Sequence, residues 1–246
     1  NKAPIIFLGQ ISDKISAYKS TTAKDCCYWV IIHGIENSYM KIIKLQEDIT
    51  PEIAKSFNHS IAIDTEATGL QIPERDKLSL IQVCGENSDV YIIQPNRKNY
   101  KAPNLVSVLE NNKIQKIGHF LRFDKSALEY FLKCKLKNIF DTKIASKIVR
   151  TYTDSHGLKN LVQEFCNKNL DKRQGSSDWN RDINDLTEKQ LEYAANDVIY
   201  LHKIKLELEK MLIRENRLDL FKRCISFLDT RVELDQTGFK FDIFEH

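Results

Sequence analysis

Three apolar, strand-like runs follow one another closely: Ile61 to Thr65, Leu78 to Cys84, and Val90 to Ile93. Turn chemistry at Thr68-Gly69 and Gly85-Glu86-Asn87 separates them, and connections this short favour antiparallel pairing over crossovers. The pattern then changes. Asn104 to Asn111 reads as helix, Lys116 to His119 as extended, Lys125 to Lys133 as helix, Ile139 to Asp141 as extended, and Thr142 to Arg150 as helix. A three-strand meander followed by α/β crossovers predicts a mixed sheet flanked by helices. Gly157 to Cys166, Thr187 to about Glu215, and Arg217 to Leu228 carry helical periodicity, so the C-terminal part is expected to be helical, with Asn169 to Asp185 as a polar loop.

The first run ends in SIAIDTEATGL, Ser60 to Leu70, with two acids one residue apart. Side chains alternate along a strand, so Asp64 and Glu66 share one face while Ile63 and Thr65 point the other way. Two carboxylates in one small volume repel and call for a compensating cation, and a hard divalent ion such as Mg²⁺ or Mn²⁺ suits oxygen ligands. A solvated strand end before the Thr68-Gly69 turn is the competing account. YAANDVIYL places Tyr193 and Asp197 four apart, neighbours on one helix face beside an apolar stripe of Leu191, Ala194, Ala195, Val198 and Leu201. An amphipathic helix with an exposed acid would look the same. In IGHFLRFDKSAL, Asp124 falls near a helix start, where the helix dipole alone favours an acid.

Taken together, D-x-E at a strand end, F-D opening a helix, and Y-x-x-x-D on a late helix resemble the three motifs of DEDD-type 3′-5′ exonucleases, in the subgroup with a tyrosine. FDTKIASKIVRTYTDSHGLKNLV, LDKRQGSSDW and the terminal DIFEH extend the likeness to the ribonuclease D family, and within it to the short bacterial nanoRNase C group. The resemblance covers about Lys41 to His246. It implies a ribonuclease-H-like fold and stepwise removal of nucleotides from the 3′ end. It also implies two divalent cations, Mg²⁺ or Mn²⁺: Asp64, Glu66 and Asp197 hold one, Asp64 reaches the second, and Asp124 holds that second ion largely through water. The ions would activate a nucleophile and stabilise the attacking and leaving oxygens. Tyr193 would orient the attacking water, although a packed structural tyrosine is the alternative.

By the same resemblance Leu70 would pack against terminal bases, though a core leucine is an equal reading. His119, Arg122, Gln174, Ser177 and Trp179 are further substrate-contact candidates: Arg pairs with phosphate and Trp stacks on bases. His119 also fits a structural histidine, and Lys172 and Arg173 also fit a solvated loop. Gly175 departs from the family pattern, which has a polar residue there.

Composition limits the partners. With 37 basic and 34 acidic residues and a formal charge of +3, the chain does not resemble a long-duplex binder, so a nucleic acid would be gripped locally. The expected substrate is single-stranded RNA or short oligoribonucleotides, with DNA and proofreading-type chemistry as the rival and a non-catalytic nucleic-acid-binding module as the rival from another class. No apolar run approaches the roughly 18 residues of a membrane span. Six cysteines without CxxC spacing suggest a reducing compartment and no zinc site. No signal or acid-poor transit pattern opens the chain, so a cytoplasmic setting is expected. The length leaves no room for the helical domains that follow the catalytic domain in longer ribonuclease D proteins. Because related short enzymes form rings, a homo-oligomer is an expectation by analogy. Residues 1–39, outside the resemblance, read as an appendage whose role is open, and residues 40–246 as the exonuclease domain.

Overall fold

The computed structural model describes residues 17–20, 28–35, 38–69, 71–72, 75–170, 177–239, 241, 243 and 245, with side chains from Lys41 onward. Leu70, Lys172, Arg173, Gln174 and Gly175 lie outside the described residues.

Among the described residues, eight strands form one mixed sheet in the order β1-β2-β3-β6-β5-β4-β7-β8. They are β1 (Ala17–Ser20), β2 (Tyr28–Ile35), β3 (Ser38–Gln46), β4 (Ser60–Ala67), β5 (Leu78–Gly85), β6 (Val90–Gln94), β7 (Gln115–Gly118) and β8 (Ile139–Asp141). The meander β4-β5-β6 is antiparallel, whereas β7 joins β4, β8 joins β7, and β3 joins β6 in parallel. This is the mixed sheet expected from the sequence. β1 and β2 pair with each other and β2 with β3, so the sheet continues into the segment before residue 40, and the 39/40 division falls inside β3.

The helices are α1 (Pro51–Ser56), α2 (Pro103–Leu109), α3 (Arg122–Leu132), α4 (Thr142–Val149), α5 (Leu158–Cys166), α6 (Glu188–Ile199), α7 (Leu201–Arg214) and α8 (Leu218–Gln236). Each sheet face carries its own apolar cluster, as period-2 alternation requires. Ala62, Leu80, Cys84 and Ile92 pack with α6 residues Leu191, Ala194, Ala195 and Val198. Ile61, Ile63, Ile81 and Val83 pack instead with α3 residues Ala127, Leu128 and Leu132.

Two helix expectations need correction. The segment from Thr187 to Glu215 is two helices, because the chain turns at Tyr200, whose backbone N–H bonds Val198 O rather than continuing the ladder. No Gly or Pro marks that break, so nothing in the local sequence signals it. The last helix runs to Gln236 rather than Leu228, since Val232 continues the buried stripe one turn beyond Leu228.

The loop before α6 is tied to the sheet. Gln94 Nε2 donates to Arg181 O (2.8 Å), Ile183 N donates to Gln94 Oε1 (3.0 Å), and Arg97 Nη2 donates to Trp179 O (3.0 Å). Thr187 and Gln190 then form a reciprocal capping box that starts α6, fixing the register of the helix that carries Tyr193 and Asp197.

Candidate active site

Asp64 and Glu66 stand at the end of β4, on the face shared with Ala62 and covered by α6. The register of β4 against β5 shifts between Glu66 and Ala67, a bulge that ends regular pairing beside the acids. From α6, Asp197 comes back over this face. One carboxylate oxygen from each of Asp64, Glu66 and Asp197 lies within 4.8 Å of the other two. The sequence separation is large, yet sheet alternation and helical spacing bring all three together.

Asp124 arrives from the opposite face. It sits in the first turn of α3 and accepts a 2.6 Å hydrogen bond from Thr65 Oγ1, the residue between the two β4 acids. Asp124 is outside the three-acid group of matching ligand atoms, although its charge bears on both Asp64 and Glu66. The turn that delivers it is anchored from beneath. Buried Asp141 accepts from Phe120 N (3.2 Å) and Leu121 N (2.7 Å) while capping α4 through Lys143 N and Ile144 N. Phe120 there has a positive φ of 66°. Gly118 precedes the turn, and a β-carbon on it would lie 2.1 Å from Leu121 Cδ2, so only glycine lets the strand end meet the helix start.

Electrostatics match the crowding. Burial, followed by Asp124, Asp197 and Glu66, holds the Asp64 carboxyl well above the ordinary range. Burial, then Asp197 and Asp124, pushes Glu66 up to about 9. Burial raises Asp124 to about 7, opposed by the Thr65 hydrogen bond. Glu66 therefore holds its proton at neutral pH unless a cation replaces it, and the whole cluster resists carrying its full negative charge. Oxygen-only donors, close spacing and like charge are what a hard divalent ion selects. Tyr193, half-buried, hydrogen-bonds Asp197, and its hydroxyl is pushed far above the ordinary value by burial and then by the charges of Asp197, Glu66 and Asp64. It stays a protonated donor at the edge of the acid cluster.

Of the remaining candidates, His119, Arg122, Ser177 and Trp179 line a cleft of about 920 Å³ that opens onto Asp64, Glu66 and Asp124. Trp179 is 3% exposed and its ring centroid lies 6.1 Å from that of Tyr193 at 33°. It thus backs the tyrosine more than it presents a free stacking face. Arg122 makes a two-pronged pair with Asp235, at 2.6 Å for both contacts, so a phosphate would have to share that guanidinium. His119 Nδ1 lies 3.0 Å from Thr142 Oγ1, which itself donates to Gly118 O at 2.9 Å. The hydroxyl proton is used, so Nδ1 carries the hydrogen toward Thr142 and Nε2 is the acceptor in the neutral ring.

Two contributors were not anticipated from sequence. Thr65 looked like a strand residue facing away from the acids, and it does face away, toward Asp124. Asp141 carried a recognisable signal, an acid directly before Thr-Lys-Ile at a helix start, but its second role beneath the Phe120-Leu121 turn depends on tertiary placement.

The site defines a class, and the comparisons agree with it. A 3'-5' exonuclease family profile matches residues 40–213, and the chain belongs to that family. Ribonuclease D of Bartonella henselae is 31% identical over 182 residues, covering 74% of this chain and 44% of the relative. DNA polymerase I of Aquifex aeolicus is 32% identical over 159 residues, covering 64% of this chain and 24% of the relative. The chain spans less than half the length of these curated relatives. Among solved structures, Brucella melitensis NrnC superposes with a TM-score of 0.78 at 42% identity, covering 83% of this chain and 98% of that one. NrnC has also been solved bound to pGG and with bound Mg²⁺.

Proposed function

We propose that this chain removes nucleoside 5′-monophosphates from the 3′ ends of short oligoribonucleotides by divalent-cation-dependent hydrolysis. The observation that carries the reading is the meeting of Asp64, Glu66 and Asp197 within 4.8 Å, with Asp124 hydrogen-bonded to the residue between the first two. Membership of the 3'-5' exonuclease family and the likeness to NrnC, solved with Mg²⁺ and with pGG, support it.

Asp64, Glu66 and Asp197 would hold one cation, Mg²⁺ or Mn²⁺, and Asp64 with Asp124 a second. Such ions activate water and offset the charge that develops on phosphoryl oxygens. The chain's own residues do the placing. Tyr193 keeps its proton and, bonded to Asp197, offers a fixed direction to an attacking water. Trp179 holds the tyrosine ring in that pose. His119, with Nδ1 held by Thr142, lines the cleft as a substrate contact. Ser177 lines the same cleft. Leu70 and Gln174 belong to the proposal as base and phosphate contacts. Residues 40–246 carry the catalytic acids in this reading, with residues 1–39 as an appendage whose strands β1 and β2 extend the sheet through β3. The setting is cytoplasmic, and no helix among the described residues is long and apolar enough to cross a membrane.

A second reading, hydrolysis of DNA 3′ ends, is favoured by one observation, the match to a DNA polymerase I. A length series from dinucleotide to long RNA, with matching DNA, separates them when products are resolved by size. Stepwise loss of 3′ nucleotides from RNA, fastest for the shortest members and dependent on Mg²⁺, is expected. Endonucleolytic fragments, or turnover that persists in EDTA, would contradict the proposal.

A further inference from the structure

Gln82 lies at the middle of β5 with no exposed surface, and neither its Nε2 nor its Oε1 has a hydrogen-bond partner among the described residues. Its register partner on β4 is Asp64. Residues paired across antiparallel strands share a face, with β-carbons roughly 5 Å apart. The face is the one beneath α6, where Leu80, Cys84, Ile92, Ala194 and Ala195 are all apolar. A primary amide left unpaired there is a standing cost to the fold, and a methionine of similar length would fill the space without it. Gln94, a buried amide on the neighbouring β6, is by contrast bonded at both ends, to Arg181 O and Ile183 N. Gln82 leaves both ends of its amide unpaired directly beside the strand acid of the active site.

We propose that Gln82 is a positioning residue for Asp64: its Nε2–H donates to the Asp64 carboxylate and fixes the rotamer in which that carboxylate serves the cation. The inference rests on the cation-dependent reading of the acid cluster. The amide needs no backbone movement to act, since rotation about its terminal torsions turns either end toward the neighbouring strand. Hydrogen bonds to ligating carboxylates commonly set metal affinity in this way.

The test uses the full chain with Gln82→Met, Gln82→Leu as a second variant, and each in an Asp64→Asn background. Unfolding by urea in EDTA reports the fold, Mn²⁺ titration followed by electron paramagnetic resonance reports the site, and dinucleotide turnover reports catalysis. Both variants should be at least as stable as wild type in EDTA. Mn²⁺ affinity should fall by about tenfold or more, with kcat/KM falling alongside. In the Asp64→Asn background the same substitution should change Mn²⁺ affinity by less than about twofold, as required if Gln82 acts through Asp64. Wild-type Mn²⁺ affinity in the Met variant overturns the proposal, as does an equal loss in both backgrounds. Loss of stability in both apolar variants also overturns it, because Gln82 would then be structural. Failure of the wild-type chain to bind Mn²⁺ at all is a different result: it removes the proposed function, and this inference with it.

Discussion

Replacing Asp197 by asparagine should stabilise the cation-free protein while removing its response to Mg²⁺. Two unit charges 4.8 Å apart, the outer limit for the three-acid group, repel by about 3.5 kcal/mol at an effective dielectric of about 20. The full value is not realised, because Glu66 titrates near 9 and carries only part of a charge in moderately alkaline solution. A net gain of about 2 kcal/mol at pH 9 is expected, which for a chain of this size is about 4–8 °C in Tm. At pH 5 Glu66 is protonated and Asp64 is also held above its ordinary range, so the gain should shrink toward zero. Thermal unfolding of wild type and Asp197→Asn at pH 5 and pH 9, with EDTA or with excess Mg²⁺, gives all the comparisons needed. Wild type should gain Tm on adding Mg²⁺ at pH 9 and the variant should not. A variant destabilised equally at both pH values, or one that still responds to Mg²⁺ like wild type, would refute the charge-crowding argument.

Further outcomes follow from the same geometry. Tyr193→Phe should lower kcat by about a hundredfold with Mn²⁺ affinity retained, as expected for loss of an orienting hydrogen bond in the reacting site; equal rates would make Tyr193 structural. Without cations, fold stability should decline with rising pH: Glu66 rises from an ordinary 4.5 to about 9 on folding and Asp124 from 3.8 to about 7. Each raised carboxyl contributes fully below its unfolded value and loses that contribution as pH climbs through the folded one. Urea midpoints in EDTA from pH 4 to pH 9.5 check this, and a flat or rising profile would contradict it. Thr65→Val should cost about 1–3 kcal/mol by stranding buried Asp124 without its 2.6 Å donor; a urea midpoint unchanged at pH 8 would show that bond to be idle.

The parts of the fold legible in sequence were those governed by short-range periodicity. Alternation placed Asp64 and Glu66 on one face of β4, and four-residue spacing placed Tyr193 and Asp197 together on α6. The turn at Tyr200 was not legible, because no glycine or proline marks it and only packing decides where the ladder breaks. The pairing of Arg122 with Asp235 was also hidden, since it joins the first turn of α3 to the last of α8. Trp179 shows the limit of reading residue type alone: an aromatic in a polar loop suggested a base-stacking surface, yet Arg97 and Gln94 tie that loop down and bury the ring against Tyr193. Thr65 and Gln82 gain meaning only from the residues that the sheet and α3 set beside them.

Acids from β4 and α6 are expected to share one divalent cation. Crystals of the protein grown with Mn²⁺, measured at the manganese absorption edge, test this directly. An anomalous peak within coordination distance of Asp64, Glu66 and Asp197, lost in Asp197→Asn crystals, is the predicted result. Crystals saturated with Mn²⁺ that show no peak among these three carboxylates would contradict it.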